Sequence, residues 1–321
     1  MSESERPVVL VTEGSAAAPL AWLRERAEVI EAGPNEAAFA PALERADAMV
    51  VRTYTRVDAA LLASAPRLKV VGRGGVGLES IDVTACRERG VQVVYTPDAN
   101  TQAVVELVIG LMVRLVRPWW ENALEPFTPE HFKQMRHSAG EQLCDLRLGI
   151  LGMGRVGRRL ARAAHGAFGM EVIYHDLADV ASQVDSPARP VSFDELLEGC
   201  DILSAHVDAR PGNRHLLDAR TLGQGGFRWL INTSRGFILD AAALDPLLRG
   251  GRLVGVALDV YDPEPPPADS VYAHLLRDHR DRVHMTPHMA SRTHRALENM
   301  SWVVRDVMRV LEGEAPEWPA P

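Results

Sequence analysis

The run from Leu148 to Leu160, L-G-I-L-G-M-G-R-V-G-R-R-L, constrains the fold of this chain more than any other segment. An apolar run suited to a buried strand leads straight into Gly152, Gly154 and Gly157, and a helical pattern follows at once. The G-x-G-x-x-G spacing has a physical meaning in that context. The first glycine permits a tight strand-to-helix turn, the second lets the backbone approach a pyrophosphate, and the third lets helix and strand pack closely. Arg155 and Val156 belong to the same expected cofactor-binding turn, where the helix N-terminus faces the anion. The next apolar run, Glu171–His175, leads to Asp176, close to the roughly 20-residue distance at which a carboxylate takes ribose hydroxyls. An anionic Asp176 repels a 2′-phosphate, so NAD is the expected cofactor rather than NADP.

Around this turn, short apolar runs alternate with helical patterns, the signature of an α/β chain. Strands are expected at Val8–Val11, Ala48–Val51, Leu68–Val71 and Val91–Tyr95, with helices at Pro19–Arg26, Asp58–Ser64 and Ile81–Arg89. A second series of strands is expected at Leu148–Leu151, Glu171–Tyr174, Ile202–His206, Trp229–Asn232, Gly255–Leu258 and Val283–Thr286. The chain of 321 residues exceeds the usual size of one core, so two doubly wound parallel-sheet domains are expected. Thr101–Val116 reads as a long helix leaving the first. Trp119–Gly140 reads as an irregular arm, Arg295–Leu311 as one amphipathic helix, and the Pro-containing tail after Gly313 as having no reason to be ordered.

A net charge of −8 argues against nucleic acid as a partner, because sequence-independent affinity for it comes from clustered Lys and Arg. Cys86, Cys144 and Cys200 lack both a disulfide framework and metal-ligand spacing, so no metal is expected. No apolar stretch suits a membrane span or a signal peptide, and a cytoplasmic location is expected.

Reduction of a keto acid needs its carboxylate held, its carbonyl polarised and a proton donor placed on the oxygen. Arg235, Glu264 and His288 each follow an expected strand, at the carboxyl edge where open α/β sheets bind ligands. The runs around them, N-T-S-R-G, D-V-Y-D-P-E-P from Asp259 to Pro265, and T-P-H from Thr286 to His288, occur in order. In these runs the sequence resembles the D-isomer-specific 2-hydroxyacid dehydrogenase family over nearly its whole length, nearest to phosphoglycerate dehydrogenase-like members.

The resemblance implies that Arg235 binds the substrate carboxylate and carbonyl, that His288 is the acid/base, and that Glu264 hydrogen-bonds the imidazole and raises its pKa. It implies that Asp259 sits near the nicotinamide and that Thr101, His206 and Thr233 join the cofactor site. It further implies that the loop Arg73, Gly74, Gly75, Val76 and Gly77 receives the substrate carboxylate on backbone amides, with Arg52 in the other substrate loop. The implied layout is a flavodoxin-like substrate domain, residues 1–100 and 291–321, with a Rossmann NAD-binding domain, residues 101–290, inserted. The expected partners are a small 2-hydroxy or 2-keto acid and a second copy of the chain in a homodimer.

Arg52 in V-R-T and Arg73 in V-G-R occupy positions that resemble phosphoglycerate dehydrogenases more than glyoxylate or hydroxypyruvate reductases, a resemblance that makes 3-phosphoglycerate a candidate substrate. Three departures from the family pattern stand out: the arm lacks a G-x-W element, D-A-R-P-G-N at Asp208–Asn213 replaces P-L-T-x-x-T, and Ala290–Ser291–Arg292 stands where glycine-rich residues are usual. The alternative reading is an NAD(H)-sensing protein on the same fold, like the C-terminal-binding co-regulators, since fold alone never proves function.

Overall fold

The computed structural model describes residues 6–117 and 127–321. The chain divides into two compact units, residues 1–100 with 291–321 and residues 101–290. The first unit carries β1 (Val8–Val11), β2 (Glu28–Glu31), β3 (Ala48–Val51), β4 (Val70–Arg73) and β5 (Gln92–Tyr95) in the order β2-β1-β3-β4-β5. All its pairings are parallel. This is the flavodoxin-like order. Alternate side chains feed two apolar layers, with Leu10, Met49, Val71 and Val93 on one face and Val9, Val50, Val70 and Val94 on the other. The second layer is closed by Val303, Val304 and Val307, so the C-terminal residues complete the core of the N-terminal unit.

The second unit carries β6 (Arg147–Leu151), β7 (Glu171–His175), β8 (Arg189–Pro190), β9 (Ile202–Ala205), β10 (Trp229–Asn232), β11 (Gly255–Leu258) and β12 (Val283–Met285). Their order is β12-β11-β10-β9-β6-β7-β8, again all parallel. From β6 the chain winds first toward β7 and β8, then crosses back to β9 on the other side. That reversal is a topological switch point, and ligands of open α/β sheets bind outside the strand ends there. The helix Thr101–Val116 buries Val105, Val108 and Met112 in one of the two apolar layers of this sheet. Among the described residues, no helix is long and apolar enough to cross a membrane.

Three expectations are corrected. The C-terminal pattern is two helices, His294–Ser301 and Val304–Leu311. Between them the Trp302 N–H reaches both the Glu298 and Asn299 carbonyls, the tightened last turn that ends a helix. The tail after Gly313 is ordered: the edge strand β5 offers unpaired backbone groups, and Ala320 N–H donates to the Val93 carbonyl while Tyr95 N–H donates to that of Trp318. Asp306 holds the same tail by accepting from the amides of Glu317 and Trp318 at 2.9 and 2.8 Å. In the arm, Thr128 caps a helix over Pro129–Met135; Trp119, Trp120 and Pro126 lie outside the described residues.

Candidate active site

The turn after β6 has the geometry of its glycines. Gly152 adopts φ +95°, a backbone that side-chain-bearing residues avoid, and a Cβ there would stand 2.7 Å from the His206 carbonyl oxygen. At Gly157 a Cβ would collide with the Gly152 carbonyl, whereas beside Gly154 there is open space within 4 Å. Gly154 is the N-cap of the helix Arg155–Phe168 and supplies no side chain to its first amides, which are left to an anion. Val156 packs on the apolar layer beneath the turn, and Arg155 is exposed.

Strand pairing places one element on each side. Leu151 pairs with His175 of β7 and with Ala205 of β9. Asp176 follows β7 and accepts from the Met153 amide at 2.7 Å and from the Ala178 amide at 2.9 Å, so its carboxylate is tied to the glycine turn. His206 follows β9, with its ring Nε2 2.8 Å from Ser204 Oγ, and burial pushes its pKa down to about 4. The imidazole is therefore neutral. Thr101, at the start of its helix, is buried, and the buried Thr233 hydroxyl has no hydrogen-bond partner among the described residues. Such an orphan is rare in a native interior unless a ligand satisfies it. The uncapped helix start, the open flank of Gly154 and the orphan hydroxyl fit a dinucleotide.

Arg235, Glu264 and His288 come together within the second unit. Arg235 follows β10, and its Nη1 donates to the Ser234 carbonyl at 2.8 Å. A Cβ on the next residue, Gly236, would overlap the Tyr261 backbone, so only glycine lets this loop lie against the segment leading to Glu264. Glu264 Oε1 accepts from the Tyr261 amide at 2.8 Å, and Oε2 stands 2.7 Å from His288 Nδ1. The Glu264 hydrogen bond is the main cause that holds the His288 pKa above its ordinary value; burial and the Arg235 charge oppose it. Burial works against ionisation of Glu264, but bonds from His288 and the Tyr261 amide, helped by the Arg235 charge, hold its pKa below the usual range. Both directions describe one imidazolium–carboxylate pair beside a guanidinium.

His288 has φ +48°, an uncommon backbone for a residue other than glycine. Asp259 supplies the restraint. Its carboxylate is fully buried; Oδ1 accepts from Thr286 Oγ1 at 2.5 Å and from the Met289 amide at 2.8 Å, and Oδ2 from the Ala290 amide at 2.9 Å. The same carboxylate that the resemblance puts near the nicotinamide thus grips the turn on both sides of His288. Tyr261 adds a hydroxyl donated to the Thr286 carbonyl at 2.7 Å.

The substrate loops expected at Arg52 and at Arg73–Gly77 lie in the first unit. Gly74 and Gly75 are buried, Val76 and Gly77 are less so, and the Arg73 guanidinium lies where a Cβ on Gly75 would stand. Arg52 packs its stem against Gly74. The residue that orders this region was not singled out from sequence. Glu13, just past β1, accepts from the amides of Arg52, Thr53, Tyr54 and Thr55 at 2.7 to 3.2 Å. Burial opposes its charge, but those four bonds win and lower its pKa. Arg292, which the sequence marks only as part of a departure from the family pattern, also bears on Arg52: after burial, its charge is the next cause that lowers the Arg52 pKa, so two guanidinium groups stand near each other.

The sequence profile described as D-isomer specific 2-hydroxyacid dehydrogenase, NAD binding domain, matches residues 109–290. The chain belongs to that family. Its cofactor is NAD, and the family is one of oxidoreductases. This family member is 38% identical over 269 residues to the (S)-sulfolactate dehydrogenase of Chromohalobacter salexigens, covering 82% of this chain and 83% of the relative. It is 33% identical over 313 residues to the D-3-phosphoglycerate dehydrogenase of Mycobacterium tuberculosis, covering 96% of this chain but only 57% of that longer relative. Among solved structures, a Thermus thermophilus protein superposes with a TM-score of 0.82 at 32% identity, covering 98% of this chain and all of that one.

Proposed function

We propose that the chain is a D-2-hydroxyacid dehydrogenase that interconverts a 2-hydroxy acid and its 2-keto acid, with His288 as acid/base, Glu264 as its partner and Arg235 as the substrate anchor. The observation that carries this reading is the 2.7 Å bond between His288 Nδ1 and Glu264. With Nδ1 committed to the carboxylate, Nε2 is the ring nitrogen left to face a substrate. In reduction, the imidazolium delivers its Nε2 proton to the keto oxygen; in oxidation, the neutral ring takes the hydroxyl proton back. Glu264 keeps the protonated form available near neutral pH. The planar Arg235 fork suits the C1 carboxylate and polarises the C2 carbonyl. When bound, the nicotinamide cofactor would supply the hydride to C2 as NADH in reduction, or accept it as NAD+ in oxidation. Gly152, Gly154, Arg155, Val156, Gly157 and Asp176 hold its pyrophosphate and ribose, with Thr101, His206 and Thr233 lining the remainder. Asp259 acts here as a positioning residue through the His288 turn.

The substrate class is a 2-hydroxy acid with a second anionic group, such as 3-phosphoglycerate. Two relatives are named for such acids, one a sulfonate and the other a phosphate. Arg52, Arg73 and Arg292 supply positive charge in the first unit, where the Gly74–Gly77 amides are assigned to the carboxylate. A cytoplasmic homodimer belongs to the same reading and rests on the family resemblance.

The test is a keto-acid and hydroxy-acid panel followed by NADH absorbance. Faster turnover of 3-phosphoglycerate or sulfolactate than of lactate or glycerate is expected, and equal rates reject the second anion. His288→Ala is expected to lower kcat by about 10²- to 10⁴-fold with NADH affinity nearly unchanged. Full activity in that variant rejects the acid/base assignment, and no turnover of any acid by the native protein favours the NAD(H)-sensing alternative.

A further inference from the structure

The segment Asp208–Asn213 carries an arrangement that the proposed reaction does not use. It follows β9, while Asp176 follows β7, and the two strands flank β6 in the same register, with Leu151 paired to both. The segment and Asp176 therefore stand on opposite sides of the Gly152–Gly154 turn. Asp208 grips Arg210 through two parallel bonds, from Nε to Oδ1 at 2.7 Å and from Nη2 to Oδ2 at 2.6 Å. Asn213 Nδ2 in turn holds the Asp208 carboxylate and its carbonyl oxygen, each at 3.0 Å. The two parallel bonds orient the plane of the Arg210 guanidinium, and both side chains of the pair are about half exposed to solvent. Nη1 makes no hydrogen bond among the described residues.

The charges around it are arranged in opposition. Asp208 is the main cause that keeps the Arg210 pKa high, and Asp176 adds to the same field from across the turn. Arg210 and Asp176 do not form an ion pair with each other. Each acts on the space beside the turn with the opposite sign.

We propose that Arg210 is a preformed cation for a 2′-phosphate, and that the cofactor choice at this site is set by Asp176 overriding it. The proposal rests on the reading of Asp176 as the ribose partner. A ribose with a free 2′-hydroxyl hydrogen-bonds to Asp176 and leaves Arg210 unused. A 2′-phosphate meets the Asp176 carboxylate first, and that repulsion masks the guanidinium. Removal of the one charge exposes the other. A cation held by its own carboxylate is weaker than a free one, but a dianionic phosphate with three acceptor oxygens still gains charge-assisted bonds from Nη1.

The experiment compares the native protein, Asp176→Ser, Arg210→Ala and the double variant, with NADH and NADPH against one keto acid. Calorimetry of ADP-ribose and 2′-phospho-ADP-ribose on the same proteins gives the comparison where turnover is lost. Asp176→Ser is expected to shift kcat/KM toward NADPH, and Arg210→Ala added to it is expected to take back about 10- to 100-fold of that gain, the worth of a charged hydrogen bond. A double variant that binds 2′-phospho-ADP-ribose as well as Asp176→Ser overturns the proposal while leaving Asp176 as the ribose partner. An Asp176→Ser protein with native cofactor preference overturns both.

Discussion

Asp259→Asn tests how the acid/base histidine is held. The native carboxylate is fully buried and accepts three hydrogen bonds, from Thr286 Oγ1, Met289 N–H and Ala290 N–H. Asparagine has the same shape. Its carbonyl can serve the two donors that now share Oδ1, but its NH₂ then faces the Ala290 amide, donor against donor. One buried amide without an acceptor costs about 1–3 kcal/mol. Taking ~2 kcal/mol, a unit of the size of residues 101–290 is expected to melt about 4–8 °C lower. Function should suffer more than stability. His288 keeps its φ of +48° only because its neighbours enforce it, and a displacement near 1 Å at a reacting group costs on the order of 10²-fold in rate. The assay pairs scanning calorimetry with single-turnover reduction of a keto acid and fluorescence titration of NADH. Lower Tm and lower kcat with native NADH affinity are expected. Native Tm and kcat refute the restraint; a loss confined to NADH affinity assigns Asp259 to the cofactor instead.

In Glu264→Gln the imidazolium loses its charged partner, so the fall in keto-acid reduction with rising pH is expected to begin at lower pH; an unchanged profile rejects Glu264 as the group that tunes His288. The same pair has a signature in stability. Glu264 is held below its ordinary pKa, so its contribution is present above that value and is lost as pH falls through the lowered one, whereas the His288 contribution is present below its ordinary value and is lost as pH rises through the raised one. Urea denaturation of the native protein and the Glu264→Gln variant, run from acid to alkaline pH, should converge at both extremes, and a constant difference argues against the linkage. Arg52→Ala and Arg292→Ala should each raise KM for a doubly anionic substrate by about tenfold and leave lactate nearly unaffected, as expected for charged hydrogen bonds of ~1.5 kcal/mol. Equal effects on both substrates assign the arginines to the common carboxylate. Gly157→Ala would drive a Cβ to 2.3 Å from the Gly152 carbonyl, so NADH binding measured by fluorescence should fall at least tenfold, a loss that a native-like affinity would contradict.

The parts of the fold legible in the sequence are those whose signal is local. Central strands such as β3, β6 and β10 are buried on both faces and read as continuous apolar runs. β2 was invisible because Glu28 and Glu31 close it at both ends, charges that suit an edge strand and spoil its pattern. β8, two exposed residues including a proline, has no apolar signature at all. The helix over Pro129–Met135 buries nothing, so no periodic stripe announces it; only Thr128 before Pro129, a capping residue before a first-turn proline, gave a hint. The site divides in the same way. Gly152, Arg235, Glu264 and His288 sit in short motifs and could be named. Glu13 acts on amides some forty residues away, and Arg210 matters because of strands that become neighbours only after folding. Its one sequence trace was the unusual run Asp208–Asn213.

The return of the chain to its starting unit bears on the order in which the molecule can be made. Residues 101–290 are contiguous and can organise as soon as they leave the ribosome. The five-stranded sheet has a different fate. Val303, Val304 and Val307 seal one of its faces, and Trp318 and Ala320 bond along its last strand. Residues 1–100, the first to be made, must therefore wait, with apolar surface uncovered, for residues 291–321 to arrive. Shortening the chain by a few C-terminal residues would injure the part of the protein most distant from the cut in sequence.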